Sequence, residues 1–115
     1  MKRVLIGIVG AFVLGAFASA ASAQDAKVAK GAQLFADQKC QMCHSVAGKG
    51  NAKGMLDDVG AKLTPAEIRQ WIVEPVKMAA KQKADRKPPM PAKYAALPKD
   101  DVDALVAYLS SLKKK

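Results

Sequence analysis

Every cysteine and histidine of the chain lies within five consecutive residues, Cys40-Gln41-Met42-Cys43-His44. Two thiols three positions apart, followed at once by an imidazole, form the attachment signature of c-type haem. That spacing lets each thiol add to one vinyl group of a single macrocycle, while the adjacent His reaches the iron from one face. Rival uses of the pattern fit less well. Zinc takes four Cys, His or carboxylate ligands, and Cys and His supply only three here. A thioredoxin-like pair expects a βαβ setting, and no segment has the β-branched alternation of a strand. A disulfide between residues three apart constrains little chain and leaves His44 without a role. Cys40 and Cys43 are therefore candidate thioether anchors for haem c. His44 is the candidate proximal ligand to its iron, with the other ring nitrogen donating to a backbone carbonyl.

The sixth iron position calls for a second ligand, and no second His exists. Beyond the initiator, the thioethers are Met42, Met55, Met78 and Met90. Met42 sits between the two anchors and cannot swing to the opposite face. Met90 is the candidate distal ligand, because Pro88, Pro89 and Pro91 stiffen its backbone. Met55 and Met78 have no such frame and are expected to line the pocket or pack. Trp71 lies on the apolar face of a helix. It is either core or an indole N–H donor to a haem propionate.

The elements around these residues follow a helical pattern. Met1-Lys2-Arg3, an apolar run from Val4 to Phe17 and small residues to Ala23 form a secretory signal, with processing expected before Gln24 and Ala18-Ser19-Ala20 as a second choice. The alternative is a retained anchor, since Val4 to Ala23 is uncharged. Processing leaves 92 of the 115 residues as one domain, 24–115, a length at which a hydrophobic core alone is marginal. Val28, Gly31, Ala32 and Phe35 share one face of a helix over 25–38. Ser45 to Lys62 has four glycines and no sustained period, as in a long functional loop. Thr64-Pro65-Ala66-Glu67 is a capping box opening a second helix, which Pro75 ends. Past a lysine-rich stretch and Pro98, Val102, Leu105, Val106, Leu109 and Leu112 form the stripe of a last helix. Asp100 and Asp101 at its start and Lys113 to Lys115 at its end suit the helix dipole. The fold class is all-α.

Nineteen basic residues against ten acidic give a net charge of +9, or +7 once Lys2 and Arg3 leave with the signal. Such a charge favours acidic partners. A nucleic-acid role would need a basic helix or aromatic–basic interleaving, and the chain has neither.

Together these features resemble the class I cytochromes c, specifically the short bacterial monohaem proteins. The resemblance runs from the Gly31 and Phe35 helix through Cys40–His44, then from Leu63 to Ile72, Pro89-Met90-Pro91, and Asp101 to Leu109. It implies a cytochrome c fold of three to four helices wrapped around one covalent haem, with first and last helices crossing at Gly31. It also implies thioethers at Cys40 and Cys43, with His44 and Met90 on the iron. Similar sequences often carry Pro after the glycine matching Gly54, near the carbonyl that holds the proximal His, and here Met55 stands in that place.

With both axial positions filled, iron has no open site, so the expected function is a periplasmic electron carrier and not an enzyme. A soft sulfur ligand raises the potential. The expected partners are acidic-surfaced redox proteins, a dehydrogenase or an oxidase, met by a monomer or a subunit of a redox complex without stable membrane insertion. The competing functions are the electron-accepting subunit of a periplasmic dehydrogenase and a ligand-binding or peroxidatic haem protein in which Met90 is displaced.

Overall fold

The computed structural model describes residues 10 and 16–114. Most of the expected signal segment therefore lies outside the described residues. The chain is helical from Ala16 to Asp37 (α1), so the helix expected over 25–38 is the second part of a longer one that runs through Ala23. Its described side chains are solvated up to Lys27, and partial burial begins at Val28. Among the described residues no helix is long and apolar enough to cross a membrane.

Gly31 and Phe35 bring α1 onto the last helix, α5 (Lys99–Ser110), in the most extensive contact of the molecule. A Cβ on Gly31 would overlap the Ala104 carbonyl oxygen and come within 2.5 Å of Tyr108 Cβ, so the two backbones meet where a side chain is missing. One turn on, the Phe35 and Tyr108 rings pack at 5.7 Å between centroids and tilt by 56°. Lys30 pairs with Asp101 across the same crossing at 3.0 Å. Val102, Leu105, Val106 and Leu109 of the expected stripe are buried, but α5 ends at Ser110, so Leu112 lies beyond it, half-buried, and Lys113 and Lys114 are past its last turn.

The capping box forms. Thr64 Oγ1 accepts from the Glu67 N–H at 3.2 Å, and Glu67 Oε1 accepts from the Thr64 N–H at 3.1 Å, which holds the Glu67 carboxyl below its usual range. The helix it opens, α3 (Pro65–Val73), buries Ile68 and Ile72 against α5. Pro75 ends α3 as expected but also begins another helix, α4 (Pro75–Gln82), which buries Pro75 and Met78. Sequence periodicity predicts no helix over 76–91. A proline in the first turn gives up an N–H that needs no partner there, so one residue both stops α3 and starts α4.

The long loop is built of short pieces. Strands β1 (Ser45–Val46) and β2 (Lys49–Gly50) pair antiparallel, a 3₁₀ turn covers Ala52–Gly54, and α2 spans Val59–Lys62. The loop end is tied to the end of α5 by the Gly60 N–H donating to Leu112 O at 2.9 Å. Among the described residues the fold is all-α apart from this small hairpin, and the five α-helical segments there exceed the three to four expected, α2 and α4 being the additions. Their common core is Phe35, Ile68, Ile72, Tyr94 and the α5 stripe.

Two outcomes follow from this packing. Gly31→Ala must push α1 from α5 and should cost roughly 1–3 kcal/mol, the usual range for over-packing, measured by denaturant unfolding of the haem-loaded protein. A loss within error would mean the helices separate freely. Asp103 of α5 accepts from Lys99 Nζ at 2.7 Å and from Arg69 of α3. The hydrogen bond from Lys99, then that from Arg69, holds its carboxyl below the usual 3.8. Its contribution is therefore present above pH 3.8 and lost as pH falls through the folded value. Asp103→Asn should lower Tm slightly at pH 7, and the two melting curves should converge in acid. A pH-independent gap would assign the effect to packing.

Candidate functional site

Lys39 takes a left-handed conformation (φ 60°) that turns the chain out of α1 and into a 3₁₀ turn over Cys40–Met42. The N–H groups of Cys43 and His44 both donate to Cys40 O, at 3.1 and 2.9 Å. Asn51 then fastens this turn to the loop beyond it. Its backbone N–H points at Gln41 O (3.1 Å) and His44 O (3.2 Å), its Nδ2 donates to Met42 O (3.3 Å), and its Oδ1 accepts from the Lys53 N–H (3.0 Å). The preceding Gly50 has φ 111°, and a Cβ there would overlap His44 O. Glycine is needed at that position on both counts.

The result of this wiring is the orientation of His44. Its Nδ1 lies 3.0 Å from Gly54 O, so that nitrogen carries the proton and Nε2 keeps its lone pair. The expected carbonyl is thus supplied by Gly54 itself, despite Met55 in the next position. A Cβ on Gly54 would overlap Cys43 O and the Arg86 guanidinium, which itself donates to Cys43 O at 2.6 Å. Burial holds the imidazole pKa below its ordinary value against the opposing Gly54 hydrogen bond, and the Arg86 charge adds to the lowering. His44 is therefore a neutral ligand base at physiological pH.

His44 opens onto a cleft between α1, α3 and α5, as an apolar cofactor site requires. Phe35, Leu56, Ile72, Leu105 and Leu109 make it apolar, while Cys40, His44, Met90 and Tyr94 bring its few heteroatoms. Cys43 is half-buried and does not line it. Cys40 and Cys43 are unbridged, and burial pushes the Cys40 thiol up to about 11. A redox-active pair depends on a lowered thiol pKa, so this thiol does not suit that chemistry. Among the described residues no three His, Cys, Asp or Glu side chains gather as a metal cluster. Two free thiols three apart, an imidazole with one nitrogen engaged and an apolar cleft fit a haem.

The opposite ligand candidate is delivered by a separate segment. Met90 is half-buried and lines the cleft. Pro91 leads into a 3₁₀ helix over Ala92–Ala96 whose Tyr94, 8% exposed, donates through its hydroxyl to Gln38 O at 3.2 Å. This pins the chain just after Met90 to the end of α1. Burial raises the Tyr94 pKa above its usual value, so the donor persists well into alkaline pH. Met78 is 3% exposed and packs away from the cleft, whereas Met55 is 60% exposed and Met42 71%. Met55, expected to line the pocket or pack, does neither. Trp71 is half-buried, outside both the core cluster and the cleft lining, so of its two expected roles the core one is not observed.

Asn51, Gly54, Arg86 and Tyr94 are site residues that sequence reasoning did not single out as such. Gly54 had a signal in the family pattern, while the other three act through contacts with distant backbone carbonyls. Tyr94→Phe keeps the cleft lining and removes one hydrogen bond. Unfolding of the haem-loaded protein should show a loss of about 0.5–1.5 kcal/mol with an unchanged visible spectrum. A changed spectrum would mean that the hydroxyl also acts on the bound group.

A family model described as Cytochrome c matches residues 28–113. Neither the curated proteins nor the solved structures contain a match to the chain.

Proposed function

The chain belongs to the cytochrome c family, whose members bind covalent haem c with iron and carry electrons, and from that premise we propose that it is a periplasmic class I carrier with His44 and Met90 as axial ligands. The observation that carries this reading is that Met90 alone of Met42, Met55, Met78 and Met90 lines the cleft that also contains His44.

Cys40 and Cys43 are the proposed thioether anchors. Their separation along one 3₁₀ turn matches a single macrocycle, and the same turn leads into His44. Gly54 holds the His44 Nδ1 proton, which would leave the Nε2 lone pair free to hold the haem iron. Bound haem supplies the one-electron couple at iron. The apolar side chains of Phe35, Leu56 and Leu105 keep water from the site, and Met90 sulfur favours the reduced state. With His44 and Met90 in place no coordination position remains for a substrate, so the protein passes electrons and catalyses nothing. Trp71, with no acceptor for its indole N–H among the described residues, is the proposed donor to a propionate.

Location and partners belong to the same proposal. The basic start, apolar run and small-residue end of 1–23 support export and processing before Gln24, and thioether attachment at Cys40 and Cys43 suits an extracytoplasmic setting. The charge of +7 on the processed chain supports brief, salt-sensitive docking with acidic redox proteins.

The test is the visible spectrum of protein produced with a haem-attachment system. Reduced bands that survive acid–acetone extraction, with the weak far-red band of Met sulfur on ferric iron, are expected. Met90→Ala should keep the haem attached, abolish the far-red band, lower the potential and admit carbon monoxide to the ferrous protein. Retention of the band in that variant would sink Met90 as the ligand.

A further inference from the structure

Arg86 makes a contact that neither haem attachment nor ligation requires. It stands four residues before Met90 on the segment leaving α4, and its Nη2 donates to the carbonyl of Cys43 at 2.6 Å, across a sequence separation of 43. The guanidinium and the Cys43 carbonyl fill the position a Gly54 Cβ would occupy: such an atom would overlap Cys43 O and Arg86 Nη1 and lie 2.9 Å from Arg86 Cζ. Gly54 O is the atom that orients His44, at 3.0 Å from Nδ1. A single side chain therefore reaches from the polypeptide that delivers Met90 to the backbone that holds His44.

We propose that Arg86 is a positioning residue that straps the Met90 segment to the Cys43–Gly54 carbonyl cradle, so that the settings of His44 and Met90 are coupled through one guanidinium. The inference rests on the axial assignment above. Three features of the site favour arginine for this task. The acceptor is a backbone carbonyl, and a hydrogen bond from a charged donor to it is stronger than a neutral one. The guanidinium is planar and lies against a glycine, where any larger residue would hold it off. Lysine carries its charge at one atom on a flexible stem and lacks the fixed fork of donors. The rest of the segment offers no comparable tie before Met90. Lys83 closes α4 in a left-handed conformation, and the side chains from Ala84 to Pro89 are exposed. Without Arg86, Met90 is located only by the prolines beside it and by Tyr94 after it.

The test uses the haem-loaded protein and the variants Arg86→Gln and Arg86→Lys. One readout is solvent exchange of the His44 Nδ1 proton, followed by NMR in the reduced state. The other is the affinity of the ferric protein for added imidazole, which competes for the position assigned to Met90. Loss of one charge-assisted hydrogen bond corresponds to about tenfold in equilibrium. Arg86→Gln should therefore speed the exchange and raise the imidazole affinity by about tenfold each, with Arg86→Lys falling between Gln and the parent. Denaturant unfolding of the same samples supplies the global stability for comparison. Faster exchange with unchanged imidazole affinity would overturn the coupling. So would equal damage in Lys and Gln that the loss of global stability fully accounts for. Failure of the axial assignment shows separately, as a missing far-red band in the parent protein, and proton exchange still tests the strap there.

Discussion

Where α1 crosses α5 the two backbones meet over Gly31, and the cleft depends on that closeness. The crossing sets Phe35 of α1 beside Tyr108 of α5, and it presents Leu105 and Leu109 to the space into which α1 delivers Cys40 three residues after its end. A wider crossing would separate the thiol-bearing turn from the apolar surface that a macrocycle must cover. The charge pair Lys30–Asp101 and the rings of Phe35 and Tyr108 flank the glycine, so the contact is fixed on both sides of the missing side chain. α3 adds Ile68 and Ile72 to the same core, with its start set by the Thr64–Glu67 box.

The Cys40–His44 turn is held by backbone carbonyls more than by side-chain packing. Gln41, Met42, Cys43 and His44 each present a carbonyl that accepts from Asn51 or Arg86. The arrangement leaves His44 with one nitrogen engaged by Gly54 and the other available. Because burial keeps the ring neutral, that nitrogen offers a lone pair with no proton to expel. Under the proposed ligation, the strength of His44 as a ligand would thus be tuned by hydrogen bonds two steps removed from the metal.

Much of this was legible in the sequence, for physical reasons that differ by element. Cys40, Cys43 and His44 declare themselves because the chemistry of attachment demands adjacency in the chain. The stripe of α5 and the box at Thr64 are local patterns with local causes, and both appear, the stripe ending at Leu109. Gly31 was visible through family likeness, and its cause is a contact with a helix more than seventy residues away. α4 escaped because Pro75 carries two opposite meanings, stop and start, and its short apolar face does not decide between them. Asn51 and Arg86 escaped because a polar side chain bonded to a remote carbonyl leaves no periodicity. Trp71 stays open in the sequence between core and propionate donor, because a large aromatic on an apolar helical face suits both, and it lies outside the core cluster.

The two sides of the cleft come from very different distances along the chain. Everything that orients His44 except Arg86 lies within residues 40–54, closed by hairpin-sized loops, whereas Met90 returns to the cleft from 46 residues beyond His44. Longer closures cost more chain entropy and form later. The imidazole side is accordingly a locally closed unit, and the Met90 side depends on a closure several times longer. Under the proposed ligation, a disturbance of residues 84–90 would therefore reach the Met90 side directly and the His44 side only through Arg86.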